Sequence, residues 1–285
     1  MSAPRSPTPA HRRRWLGAVA TLGALGTLGA LSCPGTAQAQ CGRPLKVALS
    51  DLGLGSYVEQ GQIRGLMPDL IAELQARTGC NFDLVFLPRA RALMDFDHGT
   101  VDIITSMLRT AARDRVGAYL PYGYTKHDLL VVPEAAAGLQ GLADIIRRPE
   151  LTLGVVRGIR TSERIDAHLE QLLAIRRAEY STDFANLAAK LSARRVQAAL
   201  MPNAVYLKLR RDGALPADLV VVDEPEARPQ MLGLYVNRQA VAARTLALLE
   251  KQLDDMVRSG WMRQRYAQHF GEAETRRMEE ALKPR

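Results

Sequence analysis

The stretch Leu45-Lys46-Val47-Ala48-Leu49-Ser50-Asp51 opens the globular pattern, and the segments after it repeat a strand-helix plan. Leu45–Leu49 is a short apolar run of strand length. Leu66–Arg77 then carries apolar residues at helical spacing (Leu66, Leu70, Ile71 and Leu74) and closes at Gly79. Phe82–Phe86 alternates like a strand, and Arg89–Phe96 reads as a helix. After the turn at His98-Gly99 comes the strand Val101–Ile104. Such β-α-β-α alternation implies a parallel sheet with helices on its faces.

Towards the C-terminus the pattern starts again. The sequence predicts strands at Leu129–Val132, Leu151–Val156, Ala198–Met201 and Leu219–Val222, with helices at Leu139–Arg147, Thr161–Leu173, Phe184–Ala193 and Val205–Arg211. Beyond the proline-rich stretch Pro225–Pro229 lie a strand at Leu232–Val236, a long amphipathic helix at Ala240–Arg258 and the segment Trp261–Phe270. Two α/β units of similar plan imply two lobes. In such folds ligands sit beyond the carboxyl ends of the strands, where loops meet helix N-termini.

Towards the N-terminus the composition changes. Residues 1–39 hold Arg5, Arg12, Arg13 and Arg14 and no acid. Arg12–Arg14 form a positive region, Trp15 to Leu31 is apolar, Pro34-Gly35 breaks it, and Ala37-Gln38-Ala39 supplies a small-x-small cleavage pattern. Cleavage after Ala39 and export to the periplasm are expected, with the mature chain soluble. An uncleaved anchor is the alternative. Arg12-Arg13-Arg14-Trp15-Leu16 resembles a twin-arginine signal, and Ala30-Leu31-Ser32-Cys33 resembles a lipoprotein box with Ala30 where that pattern has Leu. The general secretory, twin-arginine and lipidated routes all stay open.

The formal charge of +8 rests partly on that segment. Without its four arginines, the 38 Lys and Arg fall to 34 against 30 Asp and Glu, a balance of +4 spread along the chain. That excludes a phosphate-tracking surface, so no nucleic-acid partner is expected. Removal of the leader also takes Cys33 and leaves Cys41 and Cys80. An even pair in an exported chain reads as a disulfide, and neighbouring parallel strands would bring the two together. Two buried free thiols are the other reading. Histidine is scarce and no Cys/His ligand spacing occurs, so neither a metal nor a cofactor is expected.

Seven motifs occur in one order. Leu45–Asp51 is a first strand ending in an acid; Gly65-Leu66-Met67-Pro68-Asp69-Leu70 opens a helix; Gly99-Thr100-Val101-Asp102-Ile103-Ile104 leads into a strand. Thr110-Ala111-Ala112-Arg113, Pro121-Tyr122, Gly260-Trp261 and the pair Tyr266 and Phe270 complete the series. This order resembles the type II periplasmic solute-binding proteins, in particular the polar amino-acid-binding family of ABC importers (bacterial extracellular solute-binding protein family 3), over nearly all of residues 43–271. The resemblance implies a two-lobed α/β fold in which each lobe is a mostly parallel sheet flanked by helices, joined by a two-strand hinge. It divides the chain into leader (1–39), first lobe (40–126), second lobe (127–230) and a return to the first lobe (231–285). It implies hinge closure around a small ligand, a transient membrane permease partner and a monomer.

Arg113 is the first candidate for a ligand contact. Thr110 is a good N-cap that places it in the first turn of a helix, and in the family the matching arginine holds the ligand carboxylate. Asp51 ends the first strand and faces the predicted cleft; its alternative is a turn aspartate before Gly53. Thr105 and Ser106 follow the third strand as hydrogen-bonding candidates. Arg89 or Arg91 offers a second positive contact at the rim. In the second lobe the amides of Gly158, Ile159 and Arg160 form a candidate anion clamp, with Ile159 where the family has Thr.

Asn203 stands where the family places an Asp for the ligand amine, and Leu108 where it often has a hydroxyl. Asn accepts a hydrogen bond but cannot neutralise an ammonium. These departures point to a small organic anion or an atypical amino-acid derivative ahead of the standard α-amino acids. A sensory subunit for a membrane receptor is an alternative role. So is a cyclic-acid dehydratase with Asp51 as acid or base, although no nucleophile elbow, phosphate loop or zinc-protease motif is present.

Overall fold

A computed structural model describes residues 41–157 and 161–283 of the chain. The expected leader with its cleavage point after Ala39, and the candidates Gly158, Ile159 and Arg160, lie outside the described residues.

β1 (Leu45–Leu49) is apolar nearly throughout because it is covered on both sides. Val47 and Leu49 face one cluster with Leu70 and Leu74, while Ala48 faces another with Ala92 and Phe96. A 3₁₀ turn at Gly53–Gly55 and the hairpin β2 (Tyr57–Glu59) and β3 (Gln62–Arg64) lead into α1 (Leu66–Thr78). Then come β4 (Phe82–Phe86), α2 (Arg89–Asp97), β5 (Ile103–Leu108), the one-turn helix α3 (Ala111–Asp114) and β6 (Gly117–Thr125).

A second sheet starts at β7 (His127–Val131) and continues through α4 (Pro133–Ala136), α5 (Leu142–Arg147), β8 (Leu153–Val156), α6 (Glu163–Ala174) and β9 (Ala178–Ser181). α7 (Phe184–Ser192), β10 (Ala198–Pro202), α8 (Asn203–Arg211) and β11 (Val220–Val222) complete it. The chain then returns to the first sheet with β12 (Gln230–Asn237), followed by α9 (Ala243–Arg258), α10 (Trp261–Phe270) and α11 (Glu272–Ala281).

The strand orders are β4-β1-β5-β12-β6 and β11-β7-β10-β8-β9. In the first sheet β12 runs against its neighbours β5 and β6, and in the second β7 runs against β10 and β11. The other strands of each sheet share one direction, so both are mostly parallel with a single reversed strand. In both, the reversed strand is the one by which the chain arrives from the other sheet. Among the described residues no helix is long and apolar enough to cross a membrane.

Three elements differ from expectation for identifiable reasons. Local pattern places the third strand at Val101–Ile104, but β5 starts at Ile103 and runs to Leu108. The cause is β12, which pairs with it from the far end of the chain (Leu232 with Leu108, Gly233 with Met107). Thr105 and Ser106 therefore lie inside a strand and not after it. β6 carries Pro121 and shows no strand pattern in the sequence. It is an edge strand, where a missing N–H costs nothing, and Pro121 sits at a register shift opposite Gly233. α11 has few apolar residues and is held mainly by the polar contacts of Glu274 and Arg277.

Cys41 and Cys80 form a disulfide across 39 residues, with Cα atoms 5.3 Å apart. Tethering the chain ahead of β1 to the end of α1 restricts the unfolded ensemble. A Cys41→Ser/Cys80→Ser variant is expected to lose about 2–4 kcal/mol of stability, read as a lower denaturant midpoint under non-reducing conditions.

Candidate functional site

A cavity of about 340 Å³ opens between the carboxyl end of β5, the start of α8 and the terminal helices α10 and α11. Arg113 lines it. Thr110 caps α3 by accepting from the Arg113 amide at 3.3 Å, and the Arg113 guanidinium donates to the Leu108 carbonyl at 3.2 Å. The buried Tyr235 hydroxyl accepts from the Thr110 amide (3.1 Å) and donates to Asp114 (2.8 Å), so α3 is pinned at both ends. The helix has only four residues. What it contributes to the site is the position of a side chain.

Arg89 also lines the cavity and donates to the carbonyls of Thr105 (2.9 Å) and Ser106 (2.7 Å). Burial, and then repulsion from Arg113, push its guanidinium down to about 10. Among the described residues no carboxylate offsets that shift. Arg91, the other candidate on this helix, points outward to Asp95 at 2.8 Å.

Ser106 lines the cavity and sits at φ +56°, a conformation costly for a residue with a Cβ and often found at functional sites. Its hydroxyl accepts from Tyr122 at 3.2 Å. The Tyr122 hydroxyl is pushed up to about 12, chiefly by burial, and stays protonated. Thr105 does not reach the cavity: it is fully buried and its hydroxyl donates to the Ala48 carbonyl, because adjacent strand residues point to opposite faces. Asp51 does not line the cavity either. It is exposed and accepts from the Gly53 amide at 3.4 Å, as a turn aspartate does.

Asn203 lines the cavity wall, 1% exposed, with its hydrogen bonds spent on the protein. Its Oδ1 accepts from Thr125 Oγ1 (3.3 Å) and the amides of Lys126 (3.5 Å) and Ala204 (3.0 Å). Its Nδ2 donates to Tyr266 and Glu274, both at 2.7 Å. Beside it, Asp128 accepts from Lys126 (2.8 Å), Tyr206 (3.0 Å) and both Nη atoms of Arg277 (3.0 and 2.7 Å). Burial opposes the Asp128 charge, yet Arg277 and Lys126 hold its carboxyl below the usual range. α11, which follows α10 beside the first sheet, is thereby bound to β7 of the second.

Tyr122, His127 and the walls supplied by α10 and α11 carry no local signal of a site. Only contacts distant in sequence bring these residues to the cavity. His127 is 5% exposed and its Nε2 has no hydrogen-bond partner. Burial, with help from Lys126, pushes its imidazole down to about 4. The folded state thus refuses a proton that the unfolded chain accepts near pH ~6.5. The corresponding stability is full above pH ~6.5 and is lost as pH falls towards 4, on the order of 3 kcal/mol. Unfolding midpoints at pH ~7.5 and ~4.5 are expected to differ by less in a His127→Gln variant than in the native chain.

The sequence pattern of the bacterial extracellular solute-binding proteins, family 3, matches residues 51–272. Among curated proteins none matches. Solved structures share the fold at low identity. The arginine-, lysine-, histidine-binding protein ArtJ from Geobacillus stearothermophilus has a TM-score of 0.66 and 17% identity over 81% of this chain and 96% of its own. An ABC uptake transporter substrate binding protein from Streptococcus pneumoniae, with bound histidine, has a TM-score of 0.68 and 16% identity over 82% and 95%. The ancestral amino acid-binding protein AncCDT-1, a precursor of cyclohexadienyl dehydratase, has a TM-score of 0.65 and 19% identity over 80% and 95%.

Proposed function

Because the chain belongs to the bacterial extracellular solute-binding proteins, family 3, we propose that it captures a small carboxylate-bearing solute between its two sheets, outside the cytoplasm, and hands it to a membrane ABC permease. The observation that carries this reading is the pair Arg89 and Arg113 at one end of the cavity, the first positively charged against the cost of burial and offset by no carboxylate among the described residues. A charge kept in that state is ready for an anion, and Arg113 holds a forked guanidinium on a pinned turn. Binding needs no covalent step. Lobes 40–126 with 231–285, and 127–230, move as units about the crossings on either side of His127 and Gln230. The leader is removed on export and the protein works as a monomer. Thermal shift with a panel of amino acids, dicarboxylates and aromatic acids tests the reading, since a ligand specific to the native state adds roughly 2.7 kcal/mol at about a hundredfold excess over its Kd.

Closure itself is testable at Gly53, in the 3₁₀ turn against α8. With φ +59°, a Cβ there would meet the Ala204 carbonyl oxygen at 2.2 Å and Val205 Cα at 2.6 Å. Backbone cannot yield as a flexible side chain can. Gly53→Val is expected to hold the two units apart, weakening ligand binding roughly tenfold or more and raising the radius of gyration in solution scattering with ligand present.

A further inference from the structure

We infer that the solute taken by this cleft is a carboxylate with an apolar body and no ammonium group, an aryl or branched-alkyl monocarboxylate, and this rests on the cleft being the solute site. Removing an α-ammonium from water requires acceptors, and preferably a carboxylate, to receive its three donors. Asn203 cannot be that acceptor. Its Oδ1 already takes the Ala204 amide and the Thr125 hydroxyl, and its Nδ2 is turned to Tyr266 and Glu274.

The nearby acids are no freer. Glu274 and Asp128 are bound to Arg277, with contacts of 2.7 Å to each. Glu279 is the single carboxylate among the described lining residues, and it sits at the half-exposed rim against Arg263 at 2.7 Å. Against these spent acids the inner end of the cavity presents Arg89 and Arg113. A zwitterion entering it would place its carboxylate at the arginines and find no unpaired carboxylate among the described lining residues for its ammonium.

The apolar part of the wall supplies the second half of the class. From the arginine end the cavity runs to Leu66, Met67, Met262, Phe270 and Met278, apolar residues contributed by α1, α10 and α11. Aliphatic, thioether and aromatic surface of this kind rewards an apolar ligand body and gives nothing to a second charged group. One polar end and one apolar end therefore define the ligand.

Matched pairs that differ in the amine alone test this: 3-phenylpropanoate against phenylalanine, and 4-methylpentanoate against leucine, with succinate as a hydrophilic acid. Each is titrated calorimetrically into the full-length protein secreted through its own N-terminal segment. The expected result is that at least one amine-free acid binds roughly tenfold or more tighter than its amino-acid partner and than succinate. Tighter or equal binding of the amino acids or of succinate overturns this inference while leaving the cleft as a carboxylate site. Failure of every carboxylate to bind overturns the cleft reading itself, and this inference with it.

Discussion

Replacing Arg113 with alanine is expected to weaken carboxylate binding by roughly a hundredfold or more, about 3 kcal/mol, with the fold retained. The chemistry of the contact sets this magnitude. A forked pair of charge-assisted bonds to a carboxylate is the strongest polar contact the cavity can offer, and its loss leaves the bound carboxylate desolvated. Burial, with the Arg113 charge adding to it, pushes Arg89 down to about 10, so the two guanidinium groups share one electrostatic environment. Truncation relieves that repulsion and removes the contacts of Arg113, the bond to the Leu108 carbonyl among them. Calorimetric titration gives the affinity and thermal denaturation the stability. Arg113→Lys keeps the charge without the fork and is expected to fall between the two. Unchanged affinity in Arg113→Ala would remove this side chain from the site.

Asp128→Ala is expected to cost about 3–5 kcal/mol of stability, a fall of roughly 10 °C in Tm for a chain of this size. Asp128 is fully buried and joins elements far apart in sequence: Lys126 beside it, Tyr206 on α8 and Arg277 on α11. Removing it leaves Lys126, which is 3% exposed, with Asp223 alone, and takes from Arg277 both of its bonds to β7, leaving weaker contacts to Tyr206 at 3.3 Å and Asp223 at 3.7 Å. Breaking one partner of a buried ionic cluster costs more than the cluster is worth, because the surviving charges remain out of water. α11 is expected to become accessible to proteolysis in this variant. A change below about 1 kcal/mol would show the cluster to be well solvated in solution.

Legibility in the sequence tracks the range of the interactions involved. Local signals carried far. The apolar run Leu45–Leu49, the spacing of Leu66, Leu70, Ile71 and Leu74, and the Thr110 cap lie where their periods and side chains place them. Distant pairing and packing stabilise such elements, but their period and caps are written within a few residues, so a linear reading suffices to find them. The paired cysteines join as their positions suggested. The ordered motifs pointed to a family whose pattern spans residues 51–272.

Other features depend on partners 63 or more residues away. β5 reaches Leu108 because β12 lies beside it, and that one extension turns Thr105 into the sheet and Ser106 towards the cavity. Pro121 enters a strand because that strand is an edge. Asn203 looked like an acceptor weakened by one charge; α11 and Tyr266 make it a fully engaged strut. Hydrophobic period and capping act locally, so the two-unit α/β plan could be read from the chain alone. Which candidates face the cavity, and what charge it holds, was settled in three dimensions, because strand pairing and the docking of α11 set side-chain direction and compensation across the whole chain.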